Sequence, residues 1–335
     1  MIEIDGSRGG GSVVRIAVGL AAVIGVPVRI IHIRRTRPKS GLQHQHLAGI
    51  KAVVELCADR VVGMEFGSET VEFYPGEIRR KTISIKIPTA GAIGLALQPI
   101  QLACLKATTP VAVRINGGAT FGKWAPPAPY LTYVKFRILK RFGHRSKLHV
   151  DRDGFYPKGG ARVIARFYPP EAKHRVDLEE RGKLLRIRGR SLASTHLKNA
   201  KVAERQARAT RQTLVDRFSN LQVGVRAEYR DTASPGSGIV LWAEHERTVI
   251  GASALGERGK PSEIVGQEAA EDLIEELVSG ATLDRHMCDQ ILPYIAIFGG
   301  AFHYREMTDH MRANIEVIET ILGKQFEVDE HTIRS

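Results

Sequence analysis

Cysteine is scarce in this sequence, with three among 335 residues. Cys57, Cys104 and Cys288 are widely separated and form no C-x-x-C pair, which argues against a zinc knuckle or a disulfide framework and fits a reducing cytoplasm. Long apolar runs are also lacking. The stretch from Val13 to Val28 is broken by Arg15, Gly19 and Gly25 and is short of the roughly 20 residues that a spanning helix needs, so no membrane insertion is expected. No basic leader with an apolar core precedes the strand-like Ile2–Asp5, so no secretory signal is expected. Glycine and proline (33 and 15) are spread along the chain, without a low-complexity tract. Acid is in deficit: 36 Asp and Glu face 49 Lys and Arg, a formal net charge of +13. Such an excess attracts polyanions, nucleic acid foremost, although solubility or an unusual salt environment would also explain it.

What is present is enough for sizeable cores. The chain is 43% hydrophobic, and its length suggests about two domains. Runs rich in β-branched residues predict strands at 28–33, 71–74, 82–87, 111–115 and 162–167. Helical periodicity predicts helices at 43–57, 92–107, 129–141, 200–218, 263–278 and 309–322. The alternation indicates an α/β protein, with a loose recurrence of paired strands and a helix in the first half. The character changes near Gly182. Residues 183–256 open on a strand at 184–187, continue through a charged helix, and close with a strand pair around 223–229 and 238–243. We expect a large discontinuous domain (1–183 and 258–335) interrupted by a smaller one (184–257).

Four segments carry candidate chemistry. Gly9-Gly10-Gly11 lies between a strand and a helix, where backbone N–H groups can approach phosphate oxygens, and Arg15 lies about one turn further on. A plain strand-to-helix turn is the alternative. The run Arg34-Arg35-Thr36-Arg37-Pro38-Lys39-Ser40-Gly41 gathers four cations at one turn, apt for phosphate or simply solvated. Lys198, Lys201, Arg205 and Arg208 follow helical spacing, as either a nucleic-acid track or an ordinary charged face. Finally, His310 follows Thr308 and Asp309, either of which can cap the helix it opens. A positive helix end disfavours the imidazolium and keeps the ring neutral, as a nucleophile must be. A zinc cluster with His286 and His303 lacks any fixed ligand spacing.

Over nearly its whole length the chain resembles the RNA 3′-terminal phosphate cyclase family. The resemblance is carried by Ile4-Asp5-Gly6-Ser7 with the glycine run and Arg15, Ile33-Arg34 through Leu42, and Gln45-His46-Leu47. It continues in Thr89-Ala90-Gly91 to Gln98, Gly117-Gly118, Ala125-Pro126-Pro127 and the loop Gly154 to Gly160. The second half adds Ser234 to Gly238, Gly256-Glu257-Arg258-Gly259, His286 to Gln290, and His310 with Asn314-Ile315. The resemblance implies an α/β fold whose large domain repeats a small sheet backed by two helices, as in the C-terminal domain of a translation initiation factor, with a smaller α/β domain inserted. It also implies ATP and a divalent metal, Mg or Mn, as cofactors, RNA 3′-phosphate ends as the partner, and His310 as the nucleophile that takes AMP. Arg15, Arg34 and Arg37 are then expected as phosphate clamps. Gln45 and Gln98 match polar residues of the cleft, and Pro127, His286, Asp289 and Gln290 match the nucleotide pocket.

Three positions depart from the family pattern. The glycine turn is about two residues short and lacks the acidic residue that helps to position the metal, leaving the metal ligands unassigned; Asp5 and Glu3 are nearby substitutes. The later loop ends Gly159-Gly160-Ala161, with Asp153 where a basic residue is usual. Arg312-Ala313-Asn314 replaces the commoner apolar-Thr-Asn. The missing carboxylate keeps open a non-catalytic, cyclase-like RNA-binding protein of ribosomal RNA processing. A transferase resembling EPSP synthase shares only the architecture.

Overall fold

The structure is a computed structural model that describes residues 1–171, 174–219 and 221–335, and for Gln45 the backbone alone. Its first unit consists of β1 (Ile2–Asp5), α1 (Gly11–Ile24), β2 (Val28–Ile31), α2 (His44–Cys57), β3 (Ala58–Val62) and β4 (Val71–Pro75). The strands lie in the order β1-β2-β4-β3, the first pair parallel and the other two pairs antiparallel. The second unit repeats this path. It has β5 (Thr82–Ala92), α3 (Ile93–Ala103), β6 (Val111–Ala119), a helical stretch, β7 (Ser146–Arg152) and β8 (Arg162–Phe167), with sheet order β5-β6-β8-β7. Its helical stretch is α4 (Ala128–Tyr130), a π-helical segment Leu131–Lys135 and α5 (Phe136–Arg141).

The chain then makes β9 (Val176–Leu178) and leaves for a sheet of different topology. This excursion holds β10 (Leu184–Ser194), α6 (Val202–Arg217), β11 (Val223–Arg230), β12 (Ser237–His245), β13 (Val249–Leu255) and α7 (Ser262–Val278). Afterwards α8 (Arg285–Phe298), β14 (Gly300–His303), α9 (Asp309–Leu322), β15 (Glu327–Val328) and β16 (Thr332–Arg334) complete a third unit, in sheet order β9-β14-β16-β15. The expected α/β class with repeated small sheets and paired helices is therefore what the chain forms.

The three units share one core. Every residue of α1 from Ser12 to Ala22 is buried, because α1 packs against α3 of the second unit and α9 of the third. An all-apolar helix is stable only when covered on all sides. In the fourth sheet, Ile239, Leu241 and Ala243 of β12 face α6 and α7. Val240 and Trp242 face the main core, where Trp242 stacks on Tyr133 at 4.2 Å between ring centroids. Both faces of β12 are covered, which is why it reads as a continuous apolar run.

The expected pairing of 223–229 with 238–243 does not form. β10 lies between them, parallel to β11 and antiparallel to β12, because the α6 crossover returns the chain parallel to β10 and leaves its other edge free for β12.

Asp284 ties three of these parts together. Its fully buried carboxylate caps α8 through the N–H groups of His286 and Met287, and it accepts from the Tyr130 hydroxyl at 2.6 Å and the Gly251 N–H at 2.8 Å. Asp284→Ala strands several buried donors at once and should cost at least about 3 kcal/mol in urea unfolding, whereas Tyr130→Phe should cost about 1 kcal/mol. Equal losses would show that the carboxylate is no such junction.

Candidate active site

The cleft is assembled on bare backbone. Gly9 and Gly10 hold φ of +66° and +64°, and Gly10 is the N-cap of α1; side chains are strained in that region. Room is lacking as well, since a Cβ on Gly11 would lie 2.2 Å from His46 Nε2 and 2.9 Å from Arg15 Nη1. The basic loop folds over this turn. The Thr36 hydroxyl donates to the Ser7 carbonyl at 2.8 Å and the Arg34 N–H to the Gly6 carbonyl at 2.9 Å. Arg34 itself adopts φ +58°, a conformation worth about 1–3 kcal/mol of strain that persists only where neighbours dictate it. The Arg37 guanidinium lies over Gly10, where a Cβ would be 3.6 Å from Nε and Nη2. On the opposite wall, a Cβ on Gly9 would lie 2.6 Å from that of Ala313, in the first turns of α9.

His310 stands in that first turn, exposed to solvent. Thr308 caps the helix by accepting from the Met311 N–H at 3.1 Å. The His310 imidazole is held below the ordinary histidine range, first by desolvation of the enclosed part of its ring and then by the charges of Arg37 and Arg15; Asp309 and a backbone hydrogen bond at Gly9 oppose this. At neutral pH the ring is therefore mainly uncharged.

Arg15 is buried, and its Nε donates to Gln98 Oε1 of α3 at 2.7 Å. Burial, with Asp289 opposing and Arg34 reinforcing, brings its pKa down to about 10. His46 is buried and neutral, at about 3, for the same reasons: burial, Arg15 and Arg34. Behind Arg15 lies a titratable pair. Burial raises the Asp289 carboxyl to about 7 against the pull of Arg15 and Lys135, and burial lowers Lys135 to about 7. The Asn314 amide donates to the Asp289 carbonyl at 3.3 Å, while its own buried Oδ1 has no partner.

Of the residues expected from sequence, Arg15, Arg34, Arg37, Gln98, Asp289 and His310 come together here. Pro127 is the N-cap of α4, one turn before Tyr130, whose ring meets His286 edge-on at 6.4 Å. Gln290 is turned back on α8, its amide donating to the His286 carbonyl at 2.8 Å, and the Arg34 guanidinium bonds the Lys39 carbonyl. The side chain of Gln45 lies outside the described residues. The proposed basic helix face does not form as expected. Lys198 and Lys201 precede α6, and Arg205 is held by both oxygens of Glu263 at 2.7 Å. Sequence reasoning missed Lys135 and Asn314 as cleft residues. The available signal was a lysine on the apolar stripe Leu131, Lys135 and Leu139, where a charge is out of place.

Among the described residues, Arg15, Arg34 and Arg37 make no ion pair with a carboxylate within 4 Å. This unbalanced charge around glycine backbone, together with the orphaned Asn314 oxygen, fits a polyphosphate with a polar base or sugar attached. No three His, Cys, Asp or Glu side chains gather as a metal-ligand set among the described residues. Fold and cleft thus define a three-repeat α/β protein with an anion-attracting site beside an uncharged histidine. The sequence model of the family described as "RNA 3'-terminal phosphate cyclase" matches residues 7–328. The chain is 43% identical over 345 aligned residues to the RNA 3'-terminal phosphate cyclase of Hyperthermus butylicus (98% of this chain, 94% of that protein). It is 42% identical to those of Methanopyrus kandleri and Thermococcus onnurineus, over 98% of this chain and 95% and 96% of theirs. The chain belongs to the RNA 3′-terminal phosphate cyclase family.

The raised Asp289 carboxyl makes stability depend on pH in a known direction. Between about 4 and 7 the folded protein binds a proton that the unfolded chain does not, so this contribution is full at the acid end and is lost as pH rises through about 7. Asp289→Asn should flatten the fall in unfolding free energy across that window, measured by urea titration at several pH values. An unaltered slope would mean the carboxyl titrates normally.

Proposed function

We propose that this protein uses ATP to convert an RNA 3′-terminal phosphate into a 2′,3′-cyclic phosphodiester, with His310 as the residue that takes up AMP. The observation that carries this reading is the convergence of an accessible, mainly neutral His310 with Arg37 and Arg15 on the glycine turn. Family membership supports the substrate, since the curated relatives are named for it.

In this reading the ring nitrogen of His310 attacks the α-phosphorus of ATP. A P–N bond forms, the bridging P–O bond breaks, and pyrophosphate leaves with the electron pair. Arg15, Arg34 and Arg37 hold the phosphates, and the N-termini of α1 and α9 steady the developing charge. An oxygen of the RNA 3′-phosphate then displaces His310 from phosphorus, leaving RNA(3′)pp(5′)A and the free ring. Finally the neighbouring 2′-hydroxyl attacks the RNA phosphorus, AMP departs, and the hydroxyl proton passes to solvent. Activation is needed because a phosphate monoester oxygen leaves poorly while AMP leaves readily. The last step closes a five-membered ring, so proximity supplies much of its rate. Pro127 and His286 flank the base, and Asp289, beside Lys135, faces the ribose hydroxyls. The described side chains gather no set of three His, Cys, Asp or Glu ligands; a divalent cation accompanying ATP would be held by the phosphates and water more than by the protein, and would supply neutralisation of phosphate charge beside Arg15, Arg34 and Arg37.

The excursion between β9 and α8 we read as an inserted domain that extends beyond 184–257 to include α7, because α7 shares a core with β10–β13. The three buried free thiols support a cytoplasmic setting, and no described helix is long and apolar enough to cross a membrane.

Incubation with α-labelled ATP and Mg or Mn should give an acid-labile, alkali-stable label on the protein, and His310→Ala should abolish it. Wild-type protein that stays unlabelled with either metal would favour the non-catalytic RNA-binding reading, which the missing carboxylate of the glycine turn supports.

A further inference from the structure

Strand alternation in the second unit sends one set of side chains into the core and the other to solvent. The inward set, including Ile83, Ile85, Val113, Ile115, Val163, Ala165 and Phe167, is buried. The outward set is basic. The ladder aligns it in rows: Lys86 beside Asn116 and Arg162, Ser84 beside Arg114 and Ile164, and Ala112 beside Arg166 and Lys147. Lys86, Arg114, Lys147, Arg162 and Arg166 are all exposed. The acid on this face is Asp151, already paired with His149 at 2.9 Å.

None of these five cations pairs with a carboxylate among the described residues, although cations on other sheets do. Arg29 meets Glu3 and Glu72, Arg186 meets Glu244, and Arg334 meets Glu179 and Asp329. Packing does not require such a concentration of unpaired charge. It repels a second copy of the same face. Its aromatic and apolar side chains are few, Ile164 and, at the edge, Tyr168, whose ring is already faced by Arg145 and Lys147, so it lacks the apolar cluster that anchors a protein interface.

The face also leads somewhere. β5 and β6 run from it into α3, which carries Gln98, and into the loop 120–127, which ends at Pro127. At the same end lies the loop 153–161, joined to the first by the Phe121–Phe155 stack at 5.5 Å. The two loops carry Trp124 and Tyr156, 94% and 73% exposed, at the end of the sheet from which the chain runs on to Pro127 and to Gln98 of the cleft.

We propose that the open face of the β5–β8 sheet is the track for the RNA chain on the 5′ side of the reacting phosphate. Its five cations hold backbone phosphates, and Trp124 and Tyr156 offer stacking surfaces to bases between the track and the cleft. The proposal rests on the reading of RNA ends as substrate, and supplies what the cleft lacks: a hold on the chain beyond its last nucleotide.

The test is the triple variant Arg114→Gln/Arg162→Gln/Arg166→Gln, with the triple lysine variant as the control that keeps charge. With an RNA 3′-phosphate of about 20 nucleotides, the glutamine variant should bind at least about tenfold more weakly at low salt, and the slope of log affinity against log salt should be shallower by about 2, near 0.7 for each lost phosphate contact. The KM for cyclising that RNA should rise without loss of kcat. Cyclisation of a trinucleotide 3′-phosphate and the ATP labelling of His310 should match wild type, and lysine should restore most of the long-RNA binding. An unchanged affinity and slope, or an equal loss on the trinucleotide, would overturn the track. So would a defect confined to binding vesicles of phosphatidylcholine and phosphatidylserine. If wild type binds the long RNA through these arginines yet neither labels nor cyclises, the catalytic reading fails and the track stands.

Discussion

The cleft depends on one costly placement, a guanidinium buried without an ion pair within 4 Å among the described residues. Arg15 is anchored by Gln98 and lies near Asp289, whose own carboxyl is raised to about 7. Burial of charge without full compensation is unfavourable, and here the shortfall is in negative charge. Burial foremost, and then the positive field that remains, keep His46 neutral and lower the pKa of His310, and Arg37 over the glycine turn has no carboxylate within 4 Å among the described residues. Each of these properties suits a site that receives phosphate, and none serves the empty protein.

No single repeat contains the site. The first unit supplies the glycine turn, Arg15 and the basic loop; the second supplies Gln98, Pro127 and Lys135; the third supplies Asp289, His310 and Asn314. They meet because α1 is apolar on nearly all sides, Arg15 excepted, and must be covered by helices of both other units. Core packing thus brings the N-terminal regions of α1 and α9 to one place, where a Cβ on Gly9 would lie 2.6 Å from that of Ala313 and the two dipoles favour an anion. The π-helical segment before α5 belongs to the same arrangement, since it carries Lys135 into the cluster. Such segments recur at functional sites despite their weaker hydrogen bonding.

Much of this was legible in advance. The helix at 309–322 and the strand at 162–167 occur with the expected bounds, since both carry strong periodicity and clear end signals. The family could be identified from short motifs, because backbone-dependent chemistry is written in glycine and proline at fixed spacing. Less legible were features set by partners distant in sequence. Arg205 looked like part of a free basic stripe but answers to Glu263, 58 residues later. Lys135 drew no notice within the predicted helix 129–141, and only the fold sets it near Asp289 and Arg15. The strands β11 and β12 follow one another in the chain yet flank β10, an ordering that local pattern does not encode.

The sequence by itself determined most of the elements, the family, and six of the residues that meet in the cleft, because propensity, capping and glycine conformation are local. Tertiary structure alone decided which charges remain unpaired. Arg29, Arg186 and Arg334 found carboxylates on neighbouring strands, whereas Arg15, Arg37 and the outward cations of the β5–β8 sheet found none among the described residues. Whether a cation is available depends on what lies within a few ångströms of it, and in a chain folded from three interlocked repeats those neighbours come from anywhere in the sequence.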